Sequence, residues 1–430
     1  MIIPKSETGK QMYDLIAELY PICRSITGNG VRKTLDIIGK HVPLEIHEVP
    51  TGTNVFDWTI PKEWNISDAY IKNSKGEIIV DFKKSNLHIL NYSSPVHKKL
   101  SLKELQEHIF TLPNQVDVIP YLTTYYKENW GFCMQYNQYK KLPDDEYEVF
   151  INSSLKNGSL TYGEFFIKGK TDDEILFTSY VCHPSLCNDN LSGVVLITYL
   201  AKLLKNLNLK YSYRFLFIPE TIGAITWLSK NVSNLSKIKC GLVATCVGDP
   251  GAFTYKKTRN NTSKIDRIVE KVLLDSKVPH KIVNFFPSGS DERQFSSPGF
   301  DLHIGSLMRT MYTVFPEYHT SADNLDFVTA DSMRESLEQY LKVIFILEND
   351  AKYANLVSKC EPQLGKRGLY DAVGGQKKQK IEKMALLWVL NLSDGGNSLL
   401  DISIRSGLTF EEIKNAADLL YEKKLLKIID

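Results

Sequence analysis

Between about residues 158 and 350, short apolar runs that read as buried strands alternate with segments of helical spacing. Ile175-Leu176-Phe177 opens one strand, Tyr213 to Ile218 reads as a second, Cys240 to Val247 as a third and Phe300 to Leu307 as another. Among them, Leu191 to Leu204 form an apolar helix. Ile265, Ile268, Val269, Val272 and Leu273 have helical spacing, and Met333 to Leu347 read as a long helix. Alternation of this kind predicts an α/β fold, a mostly parallel mixed sheet with helices on both faces. Such sheets bind ligands at the C-terminal ends of their strands, so polar residues there are the first functional candidates.

The flanking regions have other textures. Met12, Leu15, Ile16 and Leu19 make one helical face near the N-terminus, and Leu35, Ile37 and Ile38 another. From Thr51 to about Ser154 the chain is β-rich and aromatic. DAYIKNSKGEIIVDF reads as a hairpin around Lys75-Gly76, which predicts an inserted β-rich domain over 51–154. The Gly- and Lys-rich stretch from Glu361 to Gln379 reads as a linker. Beyond it, helix, short helix, Gly turn, helix and final strand predict a winged helix over 375–430, with Thr409 and Glu412 as a capping box.

Composition narrows the function. With 430 residues, two or three domains are expected at roughly 150 residues each. The formal charge of +2 provides no field for nucleic acid or an anionic membrane. No apolar run approaches the roughly 20 residues that cross a bilayer, and MIIPKSETGKQMYDLIAELY lacks the apolar stretch of a signal peptide. No membrane association is expected. Seven scattered cysteines make a poor disulfide framework and fit a cytoplasmic protein. Cys182 and Cys187 lack the spacing of a structural zinc site.

Four segments place polar residues just after strands: SYVCHPSLCNDNLSG with His183, Asp189 and Asn190; FLFIPETIGA with Glu220; ATCVGDPG with Cys246 and Asp249; and FPEYHTSADNLDF with His319. Carboxylates and imidazoles at buried strand ends are costly unless paired or bound to metal. Their convergence on one sheet edge suggests a metal-dependent hydrolase. Each residue also has a plainer use. Asp189 and Asn190 are good helix caps, Asp249 suits a turn, and Cys246 serves equally as a thiolate ligand or a buried strand cysteine.

The order of His, DN-x-SG opening a helix, a strand-end Glu and YHT-x-x-D resembles the co-catalytic zinc aminopeptidase and glutaminyl cyclase clan. More closely, CRSITGNGVRKTL, PYLTTYYKENWGFC, CHPSLCNDNLSG, IPETIGAI, GDPGAFTYK, GSDERQF and FPEYHTSADNLDF resemble a bacterial family of aminopeptidase-like proteins with an inserted β-rich domain and a C-terminal winged helix. The resemblance implies a phosphorylase/hydrolase-like zinc peptidase core built from 1–50 and 155–355, with a weak link to surface-polysaccharide synthesis. It also implies His183, Asp189 and His319 as metal ligands and Glu220 as general base. The pattern departs from the clan at Thr221, where a ligand Glu is expected, at Cys246, where a ligand Asp is expected, and at Ser185, where an Asp should orient the first His.

Three protein ligands plus water is the usual set of a catalytic zinc. The expectation is therefore one zinc per chain, with Glu220 taking a proton from water and delivering it to the leaving nitrogen of a small peptide or amide substrate. A second ion on Asp189, Cys246 or Asp249 stays open. So do acyl transfer or cyclisation, as in glutaminyl cyclases, and a decayed core that only binds a ligand. Arg293 either grips a substrate carboxylate or pairs with Asp291 or Glu292; Asp291 suits a substrate ammonium. Arg309 carries the same ambiguity. Tyr125, Tyr126 and Trp130 either line a lid over the substrate or form the insert's own core. The last helix leads with Glu411 and Glu412, so the winged helix is expected not to bind DNA. It is expected to pack on the core or on a partner chain, with a homodimer contact as one use.

Overall fold

The computed structural model describes residues 3–369 and 377–429, and part of the stretch read as a linker lies outside them. Eight strands form one sheet in the order Glu45–Pro50, Ser159–Ile167, Ser212–Ile218, Glu174–Tyr180, Ile238–Ala244, Ile304–Met308, Phe253–Lys256, His280–Val283. The four central strands, Ser212–Ile218 to Ile304–Met308 in that order, run parallel. Antiparallel pairs lie on both sides, so the sheet is mixed. Every residue of Glu174–Tyr180 is buried, as expected for a parallel strand covered on both faces. The Gly193–Leu204 helix buries ten of its twelve residues, which is why its sequence is apolar almost all round.

Two strands end where the backbone turns to positive φ. Ile238–Ala244 stops short of the expected Val247 because Cys246 sits at φ 49°. The strand expected from Phe300 begins only at Ile304, after Asp301 at φ 45°. In register, Tyr180 lies beside Ile218, so the segments carrying His183 and Glu220 leave the sheet side by side.

The chain divides into two compact units. One comprises Ile3–Ile265 and Pro279–Glu338 and holds the large sheet. It also holds a four-stranded antiparallel sheet in the order Ile78–Asp81, Glu63–Lys72, Glu146–Lys156, Val96–Ser101. Asn73 Oδ1 accepts from the amides of Lys75 and Glu77, and Gly76 takes φ 81°, closing the hairpin expected there. One apolar cluster runs from Trp64, Ile71, Tyr147 and Val149 of this smaller sheet to Leu176 and Leu216 of the large one and Trp227 of the Ile222–Asn231 helix. Gly28, at φ 98°, has no room for a side chain: a Cβ there would lie 2.0 Å from the Trp64 carbonyl oxygen.

The other unit comprises Asp266–Val278 and Gln339–Asp430. Its helices Lys377–Leu392, Leu399–Ser406 and Phe410–Glu422 accompany a three-stranded sheet in the order Asp394–Ser398, Lys352–Asn355, Leu426–Ile428. This is a winged helix whose central strand, Lys352–Asn355, precedes the linker stretch. Thr409 and Glu412 form the capping box of the last helix. Among the described residues no helix is long and apolar enough to cross a membrane, and all seven cysteines are free.

Candidate metal centre

The segments after the strands are locked by buried hydrogen bonds. Arg24, buried and drawn from CRSITGNG, donates Nε to the His183 carbonyl at 2.8 Å and Nη1 to the Leu19 carbonyl at 2.7 Å. In the 187–192 turn, Asn190 Nδ2 donates to Ser179 Oγ at 2.9 Å and to the Ala244 carbonyl at 3.1 Å. Asn188 Oδ1 accepts from the amides of Gly248 and Asp249. Asp323 takes the amides of Asn188 and Asp189 on its two carboxylate oxygens, at 2.6 and 2.8 Å. The glycine of DN-x-SG has a steric reason: a Cβ on Gly193 would lie 2.2 Å from the Ala244 carbonyl oxygen.

This scaffold brings His183, Asp189 and His319 together, with one ligand atom from each lying within 4.8 Å of the others. Asp189 Oδ2 is 3.9 Å from His183 Nε2 and 2.9 Å from His319 Nε2. The close approach to His319 lacks hydrogen-bond geometry, and both Asp189 Oδ2 and His319 Nε2 are buried without a hydrogen-bond partner. Unpartnered polar atoms at such depth are costly. Donors about 2.0 Å from a tetrahedral ion stand about 3.3 Å apart, a separation bracketed by the two distances from Asp189 Oδ2. Burial and the neighbouring His319 bring the His183 pKa down to about 4 against the opposing pull of Asp189, leaving a neutral imidazole fit to ligate. Burial opposes the Asp189 charge, but the two imidazoles and the Tyr180 hydroxyl hold its pKa below the usual value.

Glu220 Oε2 lies 3.8 Å from His183 Nε2, on a side chain 27% exposed. The surrounding protein and the charges of Asp291 and Asp189 raise its pKa well above the usual carboxylate value. Thr221, where the clan has its second Glu, adopts φ 63° and ψ −74°, a costly conformation for a β-branched residue. It is held there by Asp291, whose Oδ1 accepts its amide at 2.7 Å, and by Arg293, whose Nη2 donates to its hydroxyl at 2.9 Å. Among the described residues Arg293 makes no ion pair with Asp291 or Glu292. Glu292 pairs instead with Lys256 at 2.6 Å, both fully buried. Asp291 Oδ2, Glu292 Oε2, Arg293 Nε and Ser290 Oγ are buried without partners, so this run presents unused polar groups beside Glu220. Burial raises the Asp291 pKa to about 7.

The other candidates have contacts of their own. Asp249 accepts from Gly251 N, Thr310 N, Thr310 Oγ1 and Asn188 Nδ2, the turn role its GDPG setting allows. The Cys246 thiol is buried, which pushes its pKa up, and lies 3.4 Å from Thr245 Oγ1. Ser185 donates to the Tyr20 carbonyl, and Arg309 pairs with Glu335. Tyr126 is 49% exposed and packs edge-on against Trp58. Trp130 stacks on His108 at 3.6 Å. The insert residue that reaches the histidines is Tyr121, whose ring centroid lies 5.1 Å from those of both His183 and His319. The Tyr121 amide donates to the His319 carbonyl at 2.7 Å. Tyr121, Tyr180 and Asp323 carry no assignment from the sequence. Their only signals are a place in PYLTTYY, a strand-terminal position, and the Asp of YHT-x-x-D.

Comparison with known proteins places these observations in a family. Residues 13–350 match DUF4910, a domain of unknown function, and residues 351–428 match a winged helix-turn-helix. A Clostridium acetobutylicum protein named for polysaccharide biosynthesis with an aminopeptidase-like domain is 60% identical over 424 residues, covering 99% of this chain and 98% of its own. A crystal structure of a C. acetobutylicum protein named as a peptidase superposes with TM-score 0.95 at 59% identity, covering 99% and 97% of the two chains. A zinc aminopeptidase from Bacillus subtilis shares the fold at 12% identity, with TM-score 0.58 and coverage of 81% and 96%.

Proposed function

The chain belongs to the DUF4910 family of aminopeptidase-like proteins, and on that premise we propose that it hydrolyses a peptide or amide bond with one zinc ion held by His183, Asp189 and His319. The observation that carries the proposal is the convergence of three donor atoms within 4.8 Å, two of them buried without hydrogen bonds, beside a carboxylate 3.8 Å from His183 Nε2. A zinc ion there would supply a Lewis acid for the carbonyl and an acidified water. Glu220 would take the water proton and pass it to the leaving nitrogen. Asp291 and Arg293 would bind polar groups of the substrate through the atoms they leave unpartnered. The Tyr121 ring would shield the two imidazoles from solvent. The relative's name brings polysaccharide biosynthesis into view, so amides carried on sugar precursors belong beside peptides in a substrate panel. The winged helix would serve as a contact surface for a partner chain. Lys414, one of the two residues near the start of its last helix suited to DNA, is taken by Asp418 at 2.6 Å.

Glu220→Gln tests the mechanism. The variant should retain zinc while turnover of the best panel substrate falls by roughly 10²–10⁴-fold. Activity within a few-fold of the unaltered protein would remove Glu220 from the chemistry.

A further inference from the structure

In a two-metal site a bridging carboxylate gives one oxygen to each ion, with the ions about 3.5–4 Å apart. Asp189 does not offer its oxygens in that way. Oδ2 faces the two histidines, whereas Oδ1 accepts a hydrogen bond from the Tyr180 hydroxyl. The phenol is closed in on its far side, with its oxygen 2.7 Å from Thr245 Oγ1, which in turn lies 3.4 Å from Cys246 Sγ. Tyr180, Thr245, Cys246 and Asp189 are all buried. The carboxylate that might recruit another ion, Asp249, already accepts hydrogen bonds from Thr310, Gly251 and Asn188.

We infer that Tyr180 takes the place of a second cation at Asp189, capping Oδ1 and restricting the centre to one metal. This rests on the proposed ligand set. A neutral O–H donor satisfies the inner oxygen without the ligands that a second ion would demand, and Thr221 and Cys246 stand where the resembled clan has carboxylate ligands. The phenol also fixes the rotation of the carboxylate, so that Oδ2 alone points at the metal position. Tyr180 is therefore a positioning residue that acts through Asp189. Its place as the last residue of the Glu174–Tyr180 strand, three positions before His183, ties it rigidly to both ligands.

The test uses the full chain and its Tyr180→Phe variant, loaded separately with zinc and cobalt(II). Circular dichroism checks that the variant is folded. Unaltered protein should saturate at one zinc per chain in excess metal, measured by elemental analysis. Tyr180→Phe should bind zinc roughly 10–100-fold more weakly in chelator competition, the usual cost of losing a partner of a ligand. Its cobalt(II) visible band should weaken as the released Oδ1 swings in as an additional ligand, a change that loss of packing alone would not produce. Two zinc ions per unaltered chain would overturn the inference while leaving the proposed ligands standing. Unchanged affinity and spectrum in a folded variant would also overturn it. A chain that takes up no zinc would bring down the ligand set and the inference together. The count on the unaltered chain decides the question even if the variant does not fold.

Discussion

At the scale of single residues, the legible part of the site is the part set by chemistry in a fixed order. His183, Asp189 and His319 stand out because imidazoles and carboxylates directly after buried strands need a reason to be there. Tyr121, Tyr180 and Asp323 do not stand out. An aromatic residue in a β-rich stretch reads as core, and Asp323 works by accepting two backbone amides, which leaves no spacing to detect. The same scale offers a test of the packing that joins the N-terminal helices to the inserted sheet. Arg32 donates to Glu63 at 2.7 Å and to Glu48 at 2.9 Å. The Arg32 hydrogen bond, against the opposing effect of burial, draws the Glu63 pKa from 4.5 down to about 2. A depressed carboxylate stabilises the fold above its unfolded pKa and loses that contribution as pH falls through the folded one. Glu63→Gln should therefore cost about 1–2 kcal/mol at pH 7, less than the shift alone implies because Arg32 is partly solvated. Urea midpoints of the two proteins should draw together as pH falls below about 4.5. A gap that stays constant down to pH 3 would show that the ion pair is not its source.

At the scale of elements, periodicity located the buried strands and helices, and their ends escaped it because local backbone geometry terminates them. Positive φ at Cys246 and Asp301 shifts two strand ends, and the non-helical Asp189 and Asn190 delay the Gly193–Leu204 helix. Lys352–Asn355 is four residues long, too short to display an alternating pattern, yet it is the central strand of the winged-helix sheet. Capping signals fared better because they are local. Thr409 Oγ1 accepts the Glu412 amide at 3.2 Å, and Glu412 Oε2 accepts the Thr409 amide at 2.8 Å. The Phe410 amide is also taken, by Asp275 at 2.9 Å. Thr409→Ala should lower stability by about 1 kcal/mol, read as a fall in the urea midpoint of the winged-helix unit, with the metal content unchanged. A neutral result would mean that Asp275 carries the cap by itself.

At the scale of the whole molecule, the inserted sheet was legible as a β-rich interruption, but its shared apolar cluster with the large sheet was not. Burial across two sheets depends on three-dimensional juxtaposition, which hydrophobic patterning within each strand does not report. Tyr121 of the inserted stretch packs in a separate small cluster with Leu87, Ile119 and Leu186, and its ring lies beside the two histidine rings. The central claim is that a single zinc is held where the strand ends converge. X-ray diffraction from zinc-loaded crystals, collected on both sides of the zinc absorption edge, tests it directly. The account predicts one anomalous peak per chain, about 2.0–2.2 Å from His183 Nε2, Asp189 Oδ2 and His319 Nε2. An anomalous map with no peak there, or with zinc held by other residues, would contradict it.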